Sequence, residues 1–149
     1  MSDKEDNFKK WNIGDSKKSI HVIKEKDLND FAKLTGDYNP LHMDEAYANN
    51  THLGQRVVHG MLSASFVSTI IGTQIPGKGA LWISQTFNFL APARIGDEIT
   101  VSASIKGKSE SLKVLILDIE IRNQHNTQLI TGESKVKVVE MFRKKKNEE

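Results

Sequence analysis

The chain has 149 residues, a formal charge of +2 from 21 basic and 19 acidic side chains, and no cysteine. That length suits one compact domain with its own core, and a balance so close to neutral argues against a nucleic-acid partner. Without cysteine there are no disulfides, no thiol nucleophile and no thiolate metal site. The N-terminal residues are charged, and no apolar run approaches the ~20 residues of a membrane span, so a soluble, cytoplasmic protein without membrane contact is expected.

Residues 1–17 read as an irregular lead-in. Ile20, Val22 and Ile23 mark a strand over 19–24. A short helix follows, opened by Asp27, carrying Leu28, Phe31, Ala32 and Leu34 near helical spacing, and stopped by Gly36. Next comes Asp37-Tyr38-Asn39-Pro40-Leu41-His42. Residues 44–57 are polar and read as a surface excursion with a short helix at 45–49 capped by Asp44. From 60 to 71 the character changes: Met61, Leu62, Ala64, Phe66, Val67, Ile70 and Ile71 are interrupted only by small or hydroxyl residues, which predicts a buried helix. Its serines, Ser63, Ser65 and Ser68, can return their hydroxyls to backbone carbonyls.

The second half alternates with period two. Leu81, Ile83, Phe87 and Phe89 are expected on one face of a first strand, opposite Trp82, Ser84, Thr86 and Asn88. After a turn at 92–97 come Ile99, Val101, Ala103 and Ile105, then Leu115, Leu117, Ile119 and Ile121, and after a loop at 123–127, Ile130, Val136 and Val138. One strand, helices including a buried one, then a meander of long strands predicts an α+β domain over 18–140, with an antiparallel sheet around a central helix. Residues 141–149, with Arg143-Lys144-Lys145-Lys146, read as a charged, disordered tail.

The chemistry concentrates at Asp37 and His42. Residues five apart do not face each other on a regular helix, so a kink must bring them together. Pro40 supplies it by fixing its own φ and pushing Asn39 into extended backbone. Each residue alone has a bland reading: Asp37 as a turn residue, His42 as a half-buried histidine, Asn-Pro as a turn dipeptide. Their coincidence with Val58-His59-Gly60-Met61 at the start of the apolar helix favours function.

Asp37, Asn39, Pro40, Leu41 and His42, then Val58-His59-Gly60-Met61-Leu62, Pro76-Gly77-Lys78-Gly79 and Gly96-Asp97-Glu98 resemble the (R)-specific enoyl-CoA hydratases of the MaoC-like dehydratase group. The resemblance runs from about residue 18 to 139. It departs from the group's pattern at Arg56-Val57, where relatives often carry Arg-Pro. It implies the hotdog fold, a curved antiparallel sheet wrapped around a long central helix, and reversible syn hydration of a trans-2-enoyl thioester to the (R)-3-hydroxyacyl thioester.

Under that resemblance His42 is the general base, Asp37 orients water and donates a proton to the α carbon from a partly desolvated pocket, and Gly60 offers its N–H to the developing enolate. Asn39 holds the turn, while Ser68 and His59 are candidates for substrate contact or support. No cofactor is implied. A metal is not expected either, because His42, His52 and His59 lack ligand spacing. Lys78, Arg56 and Arg94 are candidates for the phosphates of coenzyme A.

Alternatives are a 3-hydroxyacyl-carrier-protein dehydratase, a thioesterase and a non-catalytic acyl-thioester binder. The thioesterase is disfavoured because no Asp or Glu occurs from position 60 to 79. Hotdog relatives usually pair, so a homodimer acting on an enoyl-CoA or acyl-carrier thioester is expected.

Overall fold

The computed structural model describes residues 6–139. In chain order the elements are β1 (Ser16–Val22), α1 (Glu25–Thr35), α2 (Pro40–Met43), α3 (Glu45–Asn49), α4 (Gly60–Ser65), α5 (Val67–Thr73), β2 (Ala80–Phe89), β3 (Glu98–Ser109), β4 (Val114–Arg122) and β5 (Gln128–Val138). The strands form one sheet in the order β1-β3-β4-β5-β2, every pair antiparallel.

Helix α5 packs on β3 and on both edge strands, β1 and β2. Laid flat, five strands would hold those edges roughly 19 Å apart, at about 4.8 Å per step. A helix is only about 10–12 Å across. To reach both edges from one helix, the sheet must curl around it, and this is the hotdog arrangement.

The inward faces of β3 and β4 follow their sequence pattern: Ile99, Val101, Ala103, Ile105, Leu115, Leu117, Ile119 and Ile121 are all buried. In β2 the expected alternation fails. Its pairing with β5 steps from Trp82 opposite Val136 to Ser84 opposite Lys135, so Ile83 is an extra residue in a bulge. Trp82 points inward before the bulge and Phe87 after it, while Leu81 and Ile83 stay exposed. A single inserted residue exchanges the two faces of the strand. Beyond the bulge β5 passes so close to β2 that a Cβ on Gly132 would collide with the carbonyl oxygen of Thr86.

The central helix is interrupted at Phe66, which remains right-handed at φ −68°, ψ −15°. It is less enclosed than its composition suggests. Leu62, Ala64, Val67, Ile70 and Ile71 are buried, whereas Met61, Ser65, Ser68 and Thr69 face outward. The sheet covers only part of the helix circumference in a single chain.

From residue 6 onward the N-terminal lead-in belongs to the fold. Strand β1 begins at Ser16, three residues before the sequence pattern marks it. Its polar start is held in register by β3, with Ser16 opposite Ser104. Before it, Phe8 is fully buried, and the ammonium groups of Lys108 and Lys113 lie 4.4 and 4.8 Å from its ring centre. Gly14 N–H donates to Ile105 O at 2.8 Å, Lys108 donates to Trp11 O at 2.6 Å, and the Asn7 amide donates to the carbonyl of Lys78. These residues close the end of the sheet beside the β3–β4 turn. The charged tail at 141–149 lies outside the described residues. Among those described, no helix is long and apolar enough to cross a membrane.

Candidate active site

Helix α1 begins at Glu25 with Lys24 at its N-cap, ahead of the opening expected at Asp27; Asp27 sits in the first turn instead, where its carboxylate accepts the Lys24 N–H at 2.9 Å. Gly36 ends the helix in the left-handed region, at φ 81°, with its N–H on Ala32 O. The chain then turns through two side-chain-to-backbone bonds. Asp37 Oδ1 accepts the Asn39 N–H at 3.1 Å, and Asn39 Oδ1 accepts the Leu41 N–H at 2.9 Å. Asn39 is extended, as the residue before proline must be, and Pro40 is the first residue of α2, where a missing N–H is tolerated. The kink anticipated from Pro40 is therefore present, and it places Asp37 just before α2 and His42 on it.

His42 donates from Nδ1 to the carbonyl of Val57 at 2.8 Å. A carbonyl can only accept, so in neutral His42 the free lone pair is on Nε2. His59 donates from Nε2 to the main-chain carbonyl of Asp37 at 3.0 Å, which leaves the lone pair on Nδ1, buried and without a partner. One donor atom from each of Asp37, His42 and His59 lies within 4.8 Å of the others. The two imidazoles lie 4.1 Å apart between centres with 32° between their planes. Rings so placed offer each other faces. A shared ion would have to lie in both ring planes, so the trio suits proton handling better than metal coordination. Burial drives the His59 imidazole below its ordinary value, and His42 pushes the same way against the bond to Asp37.

Gly60 opens α4, where first-turn N–H groups have no partner inside the helix. The ring of Phe89, at the end of β2, lies against it: a Cβ on Gly60 would sit 2.9 Å from Phe89 Cδ1 and Cε1. Gly60 also borders a pocket of about 280 Å³ walled by Val58, Ser63, Phe89, Ala93 and Leu129 among others. Asp37 and His42 are not among its walls.

The structure thus gathers Asp37, Asn39, His42 and His59 at one point, with Gly60 next in chain to His59. Ser68 is exposed on α5 and takes no part in the pocket; Ser63 lines it instead. The sequence reading passed over Ser63, although it lies three residues from Gly60 and therefore on the same helix face. Of the three cations considered for coenzyme A, Arg56 is engaged by Glu25 at 2.6 Å and Glu45 at 3.0 Å, and Arg94 donates to Gln55 O at 3.1 Å. Lys78 is exposed.

A curved sheet around a central helix defines a hotdog protein, and the carboxylate of Asp37 beside the imidazole of His42 gives it groups suited to acid–base chemistry. The chain belongs to the MaoC-like dehydratase domain family, which matches residues 13–128. It is 44% identical over 94 residues to the (R)-specific enoyl-CoA hydratase of Rhodospirillum rubrum, a match covering 63% of this chain and 65% of that protein. With the (R)-specific enoyl-CoA hydratase of Aeromonas caviae it shares 39% over 108 residues, covering 72% of this chain and 81% of the relative. The solved (R)-hydratase of A. caviae superimposes with a TM-score of 0.84 at 33% identity, over 87% of this chain and 98% of the other. R-hydratase PhaJ1 of Pseudomonas aeruginosa also reaches 0.84, at 31% identity, over 91% of each chain.

Proposed function

We propose that this protein is an (R)-specific enoyl-CoA hydratase, adding water reversibly across a trans-2-enoyl-CoA to give the (R)-3-hydroxyacyl-CoA. The observation that carries the reading is the placement of Asp37 beside His42, with Nδ1 of His42 committed to Val57 and Nε2 left to accept a proton. The similarity to the A. caviae hydratase supports it.

In this reading a water bound between the two side chains gives a proton to His42 Nε2 as its oxygen bonds to the β carbon. The C2=C3 electrons shift toward the thioester oxygen, which takes a hydrogen bond from Gly60 N–H, and Asp37 delivers a proton to the α carbon. The proton held by His42 then resets Asp37. Both additions use one side of the substrate because acid and base share one water, which makes the addition syn. Asp37 is exposed in the single chain.

The proposal includes a homodimer and a cytoplasmic location, where acyl-CoA is available. Strand β2 ends the sheet with one edge unpaired among the described residues, and Leu81, Ile83, Phe89 and Leu90 are each more than half exposed along it. An open apolar edge of this kind is relieved by pairing with its own copy. Light scattering should give twice the 16.7 kDa chain mass at micromolar concentration, and a monomer there would remove this part of the proposal.

The decisive assay is hydration of crotonyl-CoA, followed by loss of the conjugated-thioester absorbance. No turnover with enoyl-CoAs of any length would refute the reading. A 3-hydroxyacyl-carrier-protein dehydratase remains the second reading, since the same groups run the reaction backwards and a mitochondrial dehydratase of that kind from Arabidopsis thaliana is 38% identical over 87 residues. Preference for the carrier-protein thioester over the CoA thioester would select it.

A further inference from the structure

We infer that His59 is the positioning residue that sets the distance between acid and base. This rests on the assignment of Asp37 and His42 as the reacting pair. The turn bearing Asp37 is built from bonds within itself: Thr35 to Asp37, Asp37 to Asn39, Asn39 to Leu41. Such bonds shape the turn but do not say where it lies relative to the rest of the protein. Among the described residues, the bond from His59 Nε2 to Asp37 O is the one hydrogen bond that reaches residues 36–39 from outside the α1–α2 unit.

The base is tied to the same short segment. His42 Nδ1 meets Val57 O at 2.8 Å, and the Val57 N–H meets Leu41 O at 3.3 Å. Between the two ties, the Val58 N–H is pinned to Ala93 O at 2.9 Å, which anchors the segment to the loop after β2. Residues 57–59 therefore act as a spacer: the main chain of Val57 holds the base and the side chain of His59 holds the acid. The rings of Phe31 of α1, at 4.9 Å, and of His42, at 4.1 Å, pack against the His59 ring and restrict its direction. The titratable groups that face it are Asp37 and His42.

His59 also carries a buried Nδ1 without a hydrogen-bond partner. Leaving such an atom unpaired is unfavourable, because its lone pair has given up water and received nothing in return. An apolar side chain of similar size would avoid that cost, so a histidine here is explained by what its other nitrogen holds.

The test compares three substitutions. The amide nitrogen of glutamine reaches about as far as Nε2 of histidine, whereas that of asparagine corresponds to Nδ1 and stops short of the Asp37 carbonyl. We expect His59→Leu and His59→Asn to lower kcat for crotonyl-CoA by about 100-fold, as misplacement of reacting groups by about 1 Å does. KM should stay within about two-fold, and His59→Gln should recover at least ten-fold of the lost kcat. Polarity alone cannot produce that order, because both amides are polar. Hydrogen exchange without substrate gives a readout independent of turnover: peptides spanning residues 36–42 should exchange faster in the Leu and Asn variants and at the wild-type rate in Gln, with the strands unchanged. Equal kcat in Asn and Gln variants, or faster exchange spread over the whole sheet, would overturn the inference. Failure of the wild-type protein to hydrate any enoyl-CoA would instead remove the assigned reaction, leaving the exchange pattern to decide whether His59 positions the turn.

Discussion

Asp37→Asn and His42→Ala are each expected to cut hydration of crotonyl-CoA by about 10²–10⁴-fold, the range associated with one positioned acid or base. Their effects on folding differ and can be anticipated. Asp37 is exposed, and an asparagine keeps an oxygen for the Asn39 N–H, so Asp37→Asn should melt within a degree or two of wild type. His42→Ala removes the bond to Val57 O and the face packed against His59, and should lose roughly 1–2 kcal/mol, too little to unfold the protein at room temperature. If acid and base act on one water, Asp37→Asn combined with His42→Ala should be scarcely worse than the poorer single variant, since groups acting as a unit are far from additive. Full activity in either single variant, with circular dichroism unchanged, would refute the assignment.

Phe8→Ala should destabilise the protein by about 3–5 kcal/mol in urea titration while leaving kcat of the folded fraction unaltered. Phe8 is fully buried in the main core, and two ammonium groups pack on its ring. Removing it both opens a cavity and leaves those lysine stems without their packing surface. The site is spared because Asn7, next to Phe8, bonds to the carbonyls of Pro76 and Lys78 just past the end of the central helix, and that end lies roughly 20 Å along the axis from Gly60 at about 1.5 Å per residue. A loss under 1 kcal/mol would mean that the lead-in is dispensable.

Local signals and tertiary signals separate cleanly in this protein. The turn at residues 36–42 was legible because every device that builds it is local: a left-handed glycine, two side chains that bond to backbone two residues on, and a proline at a helix start. β3 and β4 were legible because both strands are flanked by neighbours and one face of each meets the core. β2 was misread up to Ile83, where Trp82 takes the inward place expected of Leu81 and Ile83, since the bulge exists only in its pairing with β5. The N-terminal residues carried no periodicity at all, so the burial of Phe8 among charged neighbours could not be foreseen from spacing.

From its sequence alone the chain declared its class, its strand-rich second half and the kinked turn that sets Asp37 beside His42, because backbone geometry over a few residues is set by covalent and steric rules that act wherever the segment lies. Only the folded chain decided that His59 grips the carbonyl of Asp37 across 22 positions, that Ser63 rather than Ser68 faces the pocket beside Gly60, and that one face of the central helix stays uncovered. Those outcomes depend on how separate segments approach one another. Packing and long-range hydrogen bonds set that approach, and no local pattern encodes it.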